Sequence, residues 1–313
     1  MKTHHSSPGL FAAVVASLLF ALPGSTPAAD EERFNSPQAA VDALKLAVQA
    51  TDTNALHAIF GPAGRTLVSA DVVEAAVERE LFMRRAKEKV NLVSDSDSRE
   101  TLRLGADGWP FPIPLVKQDG QWHFDTEGGR EEILNRRIGA NEFGAIGVCH
   151  AYAQAQREYA SLDRHGDGVL EYAQHLRSTP GTHDGLYWSR RTGDELSPLG
   201  PLVAQARVEG YRQNTRILTE KQAPYHGYYF KILTRQGKHA AGGKYSYIIN
   251  GHMIAGFALA AWPAEWGNTG IMTFIVSQQG KVYQKNLGAK TASIARAMTA
   301  FDPDSSWTLA EKE

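Results

Sequence analysis

The chain has one cysteine in 313 residues. Cys149 has no second thiol to pair with, so no intramolecular disulfide can staple the fold. Stability must come from burial of apolar surface, and a chain of this length can bury enough for one large domain or two ordinary ones. Charge of one sign is also missing: 33 lysines and arginines stand against 34 aspartates and glutamates, a net charge of −1. That balance excludes the basic footprint expected of a nucleic-acid or anionic-membrane binder. After the N-terminus no segment reaches membrane-spanning length without charges,. Several compact catalytic signatures are absent as well. There is no Gly-x-Ser-x-Gly elbow, no His-Glu-x-x-His helix and no Cys-x-x-Cys pair,. The glycine-rich run from Gly237 to Lys244 fails the spacing of a phosphate loop and reads as a hairpin tip between strands,.

The N-terminus carries the order of a secretory signal peptide. Lys2 supplies a positive start, Leu10 to Leu22 is uncharged and apolar, and Pro23-Gly24 breaks it before Ser25-Thr26-Pro27-Ala28-Ala29,. The apolar run reaches roughly 20 Å at 1.5 Å per residue, short of the ~30 Å hydrocarbon core, so cleavage after Ala28 or Ala29 is expected rather than anchoring. Processing would leave about 284 residues with 32 basic and 34 acidic side chains. A periplasmic or secreted location follows, with no transmembrane segment in the mature chain.

The expected fold class is α+β, divided into a signal peptide (1–29), a first domain (30–138) and a second (139–313). Ser36-Pro37 pairs an N-cap serine with a proline at the first helical position. Ala40, Leu44, Ala47 and Val48 then recur at helical spacing. A second short helix runs from Thr53 to Gly61-Pro62, and a third from about Asp71 to Lys89. Strands are expected at Val90–Val93, Glu100–Leu104, Phe111–Val116 and Gln121–Asp125, the last two joined by the Asp119-Gly120 hairpin signal. Gly128-Gly129 and Gly139-Ala140-Asn141 mark the division. Beyond it come a helix from Glu142 to Ser161, an Asp-rich loop, a helix over Leu199–Val208, and strands at Tyr228–Leu233, Tyr245–Ile249, Ile254–Trp262, Ile271–Val276 and Val282–Lys285. A Gln279-Gly280 turn joins the last two strands, and a helix over Thr291–Phe301 closes the chain. The element order of the first domain looks like the cystatin or NTF2-like cone, helices on one face of an antiparallel meander.

The loop Asp163-Arg164-His165-Gly166-Asp167-Gly168-Val169-Leu170-Glu171 is the strongest hint of a ligand. Counted as an EF-hand-type loop, Asp163, His165 and Asp167 fall at positions one, three and five. Gly168 takes six, the Val169 carbonyl seven and Glu171 nine,. Gln174 stands where the bidentate glutamate belongs, and His165 is a soft ligand where oxygen is wanted. The expectation is weak structural calcium binding, on the order of 10⁻⁴–10⁻³ M. The alternative is an Asp/Gly turn joining two helices, with Asp167 as an N-cap.

Among catalytic candidates, His183, Asp184 and His226 stand first, because a histidine beside a carboxylate can act as a general base. Cys149 and His150, neighbours on a helix, point about 100° apart and form no dyad. Cys149 reads as a small buried hydrophobe. Tyr225, Tyr228, Tyr229 and Phe230, with Tyr187-Trp188, Trp262 and Trp266, could line a groove or fill the core.

Several longer motifs carry a resemblance. Cys149-His150-Ala151-Tyr152 leads into Ala155-Gln156-Arg157-Glu158-Tyr159-Ala160, the Asp163 loop and Glu171-Tyr172-Ala173-Gln174. His183-Asp184-Gly185-Leu186-Tyr187-Trp188, Ser197-Pro198-Leu199-Gly200-Pro201-Leu202 and Pro224-Tyr225-His226-Gly227-Tyr228-Tyr229-Phe230 follow. Together these resemble a family of bacterial exported proteins known only as domain of unknown function 2950. The resemblance implies an envelope location and no activity. The second domain, with Phe257-Ala258-Leu259-Ala260-Ala261-Trp262-Pro263 and Gly270-Ile271-Met272-Thr273-Phe274-Ile275-Val276, is also loosely similar to type II pseudopilin heads. In those an acidic loop can hold structural calcium. The long apolar pilin helix is missing, so fibre assembly does not carry over. The functional expectation is an exported, non-catalytic binding or assembly module with an envelope protein or polymer as partner. The alternative is a hydrolase acting on an envelope polymer through His183, Asp184 and His226.

Overall fold

The computed structural model describes residues 31–64, 69, 71–189, 195–208 and 224–310. The expected signal peptide lies outside the described residues. Helix α1 (Pro37–Ala50) starts as its sequence dictates, with the Ser36 hydroxyl accepting the Ala39 N–H at 3.1 Å,. Its buried stripe is Ala40, Val41, Leu44, Ala47 and Val48, one face of a 3.6-residue period,. Helix α2 (Thr53–Gly64) kinks at Gly61, whose φ of 58° precedes Pro62. Helix α3 (Val72–Glu88) is capped by Asp71, which accepts the Val73 and Glu74 N–H groups.

An antiparallel sheet follows from β1 (Val90–Ser96), β2 (Arg99–Leu104), β3 (Trp109–Pro110), β4 (Leu115–Gln118) and β5 (Gln121–Phe124), ordered β1-β2-β4-β5 with β3 beside β2. Asp119 and Gly120 turn between β4 and β5 with φ of 53° and 82°. Both are left-handed, as a type I′ hairpin requires. The strand expected over 111–116 is split instead, because Pro110, Pro112 and Pro114 have no N–H for a ladder,. α1, Ile59, Leu102, Leu104, Ile113, Leu115, Trp122 and Phe124 make the first hydrophobic cluster.

Helix α4 (Thr126–Tyr159) is one element of 34 residues, roughly 50 Å long at 1.5 Å per residue,. The glycines expected to break it lie within it. Gly129 is buried against the backbone of Ile113 and Pro112, a packing that leaves no room for a Cβ. α4 adds Ile133 to the first cluster and Ala145, Val148, Cys149, Tyr152, Ala153, Ala155 and Tyr159 to a second. It therefore runs through the expected 138/139 division without a linker. Arg137, nearly fully buried, ties the halves: it donates to Glu78 of α3 at 3.5 Å and to Asn268 Oδ1 at 2.8 Å.

Beyond α4 lie β6 (His175–Arg177) and β7 (Gly185–Tyr187), paired in parallel, and α5 (Gly200–Val208). The main second sheet uses β8 (Tyr228–Leu233). Next come β9 (Arg235–Gln236), β10 (Tyr245–Ser246), β11 (Ile248–Ile249) and β12 (His252–Met253). β13 (Ala258–Pro263), β14 (Met272–Ser277) and β15 (Val282–Asn286) precede α6 (Thr291–Ala297), β16 (Ala300–Phe301) and β17 (Thr308–Leu309). The sheet is antiparallel in the order β17-β15-β14-β13-β8. Every residue of β13 is buried, so both its faces are covered; α4 and α6 pack against it. The strand expected over 254–262 is interrupted at Gly256 (φ 146°), where a Cβ would meet the Tyr247 ring at 2.9 Å. α6 is shorter than expected, the chain turning to β16 after Met298. The class is α+β throughout. Among the described residues no helix is long and apolar enough to cross a membrane.

Candidate functional site

The C-terminal end of α4 sets the geometry. Arg164 Nε donates to the Tyr159 carbonyl at 3.1 Å, placing a cation at the negative end of the helix,. Its guanidinium also grips Glu195 through two bonds, 2.6 and 3.2 Å, which holds the Glu195 carboxyl below its ordinary range,. With the helix closed off, the chain makes a tight turn. Asp163 accepts the Gly166 and Gly168 N–H groups on its two oxygens, each at 2.8 Å. Those bonds, the Gly168 one foremost, hold its carboxyl below the usual carboxylate range,. Gly166 and Gly168 sit at φ of 70° and 82°, which only glycine adopts freely,.

No second helix follows. Residues 169–174 form neither helix nor strand, with the Tyr172 N–H donating to the Met253 carbonyl and Gln174 Nε2 donating to the Gly251 carbonyl. An EF-hand needs an exiting helix to bring its twelfth residue round to the ion. Here Gln174 is turned to the hairpin of β11 and β12 instead. That hairpin owes its form to Asn250-Gly251, both at positive φ (51° and 91°),. It brings up a residue with no sequence proximity to the loop, His252.

The result is a mixed cluster. Glu171, buried apart from about 9 % of its side chain, accepts the Met253 N–H on Oε2 at 3.3 Å. Its Oε1 lies 2.7 Å from His165 Nδ1 and 3.4 Å from His252 Nδ1. Asp167 accepts the Val169 N–H on Oδ1 and turns Oδ2 towards His252 Nδ1 at 3.9 Å. One ligand atom from each of Asp167, Glu171 and His252 lies within 4.8 Å of the others. His252 Nδ1 is shut off from solvent, yet the approach to Glu171 is too poorly aligned to count as a hydrogen bond. Of the loop residues expected to ligate, His165, Asp167 and Glu171 therefore converge. Asp163 is occupied by the turn itself.

His183, Asp184 and His226 do not come together. The His183 carbonyl accepts the Tyr159 hydroxyl, and its ring stacks on Trp188 at 4.3 Å. Asp184 accepts the Thr179 N–H and the Thr179 and Thr182 hydroxyls, closing the loop before β7. His226 lies in the turn between Tyr225 and Tyr228, its ring against Gly144. The α4 stretch between Gly144 and Tyr159 spans about 22 Å, which separates the two imidazoles beyond any shared chemistry. Cys149 is fully buried, and burial pushes its thiol up to about 12. Tyr225, Tyr228, Phe230, Tyr187, Trp188 and Trp262 are core residues, and Tyr228 donates to the Met272 carbonyl. Only Trp266 of that set is exposed.

No curated protein and no solved structure matches the chain. The likeness to cystatin-type cones and pseudopilin heads thus stays at the level of element order. A family model does match, and it spans residues 31–310, from just before Phe34 to just after β17. Both hydrophobic clusters, α4 between them and the cluster of Asp167, Glu171 and His252 all fall inside that span; the chain belongs to the family described as proteins of unknown function, DUF2950.

Proposed function

We infer that the chain is an exported binding or assembly module of the bacterial envelope in which a divalent cation locks the loop after α4 to the β11–β12 hairpin. The observation that carries this reading is the convergence of Asp167, Glu171 and His252, from segments about 80 residues apart, within 4.8 Å. A buried carboxylate is costly without a compensating charge, and a cation held between Glu171 and Asp167 supplies one. Large apolar side chains accompany the cluster in sequence. Leu162, Leu170, Ile249 and Ile254 are all exposed, and aliphatic side chains of this kind suit a protein partner better than a sugar polymer, which aromatic faces would serve,.

The test begins with the full chain expressed in a bacterium. Export predicts recovery from the periplasmic fraction, processed after Ala28 or Ala29. The processed protein is then melted in chelator and in excess calcium, magnesium or zinc. An ion at about 100 times its Kd stabilises by roughly 2.7 kcal/mol, which for a chain of this size raises the midpoint by about 4–5 °C. A midpoint unmoved by every ion would overturn the cation lock, and cytoplasmic retention of an uncleaved chain would overturn export.

A further inference from the structure

We propose that the ion held by Asp167, Glu171 and His252 is a divalent transition metal of the zinc class rather than calcium, and that His165 positions Glu171 for it. This rests on the cation reading above and assigns its chemistry. The donor set decides. Calcium takes 6–8 oxygens, and the loop cannot supply them: both Asp163 oxygens accept backbone N–H groups, and one oxygen each of Asp167 and Glu171 does the same,. What converges is one imidazole nitrogen and two carboxylate oxygens, Glu171 Oε1 with His165 against it and Asp167 Oδ2, a short mixed set that suits zinc and its neighbours,.

The three donors lie within 4.8 Å of one another, near the spacing an ion would impose. Bonds of 2.0–2.1 Å to a tetrahedral ion place its donors about 3.3 Å apart. His252 Nδ1 stands 3.4 Å from Glu171 Oε1 and 3.9 Å from Asp167 Oδ2. Small rotations close the site, and Asp167, with about 39 % of its side chain exposed, is free to make them. His252 Nδ1 is the second pointer: a nitrogen sealed from water, without a hydrogen bond, faces two carboxylates. A metal ion on that nitrogen satisfies it and the carboxylates together. Water completes the coordination.

His165 Nδ1, 2.7 Å from Glu171 Oε1, fixes that carboxylate from the outside, and the Met253 N–H fixes its other oxygen. Partners of this kind orient a ligand, and losing one weakens metal binding roughly 10–100-fold. His165 is thus a positioning residue.

Titration calorimetry on the processed, tag-free protein, with zinc and calcium separately, reads the affinities, and cobalt(II) absorption reads the coordination. Expected are one zinc per chain, calcium at least 100-fold weaker, and intense visible cobalt bands of a four-coordinate site. His252→Ala should abolish zinc binding and the cobalt bands while circular dichroism stays that of the parent. His165→Ala should weaken zinc roughly 10–100-fold with altered cobalt bands, and His165→Gln, which keeps an N–H donor, should recover most of the loss. Should His252→Ala fail to fold, Asp167→Asn, at an exposed position, gives the same reading. Calcium binding more tightly than zinc, lost in Asp167→Asn, overturns the zinc assignment and leaves the cation lock standing. No binding of either ion overturns both. Zinc binding untouched by His252→Ala and Asp167→Asn places the ion elsewhere and overturns the site.

Discussion

Replacing Gln156 with leucine is expected to lower the unfolding free energy by about 2–6 kcal/mol, although the two side chains are close in volume. Gln156 is fully buried near the end of α4, and its carboxamide works as a strand partner would. Nε2 donates to the Ala173 carbonyl at 2.9 Å and to the Tyr152 hydroxyl at 3.0 Å, and Oε1 accepts the Ala173 N–H at 2.8 Å. Leucine fills the space but leaves both backbone groups of Ala173 unpaired at a position with 1 % exposure. Each such orphan costs about 1–3 kcal/mol. Tyr152 keeps its bond to the Ala258 carbonyl at 3.1 Å, so its loss adds little. Urea denaturation measures the difference. A cost below 1 kcal/mol would mean that Ala173 finds other partners. Ala173 lies two residues beyond Glu171, so the same contact that stabilises the second core also sets the ledge on which the candidate site is built.

Alanine at two glycines of α4 should act with opposite signs. A helix-interior glycine replaced by alanine gains about 1 kcal/mol where the new methyl meets nothing. Gly147 is such a place: it is exposed, with open space around the added Cβ. Gly129 is not. Its Cβ would stand 2.7 Å from Ile113 Cα and 2.8 Å from the Pro112 carbonyl oxygen, both backbone atoms of a proline-stiffened segment that cannot step aside. Overpacking of that kind costs about 1–3 kcal/mol. Thermal melts of Gly147→Ala and Gly129→Ala should therefore bracket the parent, the first above it and the second below. Two shifts of the same sign would contradict the packing described.

These glycines also show what was legible in the sequence and what was not. Where a residue's conformation is decided by its immediate neighbours, the sequence and the structure agree. Ser36-Pro37 starts α1, and Asp119-Gly120 turns a hairpin between β4 and β5. The Gly280 turn joins β14 to β15. Gly128-Gly129 reads as a division between elements, yet the helix continues through it and uses Gly129 to approach the Ile113 backbone closely. Sequence spacing carries no trace of that tertiary reason. The strand expected over 111–116 is an error of the same local kind, since its alternate prolines cannot donate to a ladder and the sequence itself shows them,.

The site divides the same way. The Asp163 loop stood out because acids and glycines at short spacing make a turn, and three of its residues do gather. The EF-hand count puts the twelfth-position partner in the adjacent segment, and the chain instead supplies His252 from a hairpin far along the sequence. The one local signal for that residue is Asn250-Gly251, which fixes a two-residue turn and so makes His252 its first strand residue,. Pairing it with the loop needs the third dimension. His183 and His226 show the converse: histidines singled out for their chemistry, without a contact to join them, lie in separate loops packed against different stretches of α4.

A metal ion held by Asp167, Glu171 and His252 is the proposal on which the rest depends. Anomalous diffraction at the zinc edge, from crystals of the processed protein grown with one equivalent of zinc, tests it most directly. The account predicts a single strong peak with Asp167 Oδ2, Glu171 Oε1 and His252 Nδ1 each about 2.0–2.2 Å away, and His165 still against Glu171. A peak elsewhere, or none in a crystal whose loop and hairpin are well ordered, would contradict it.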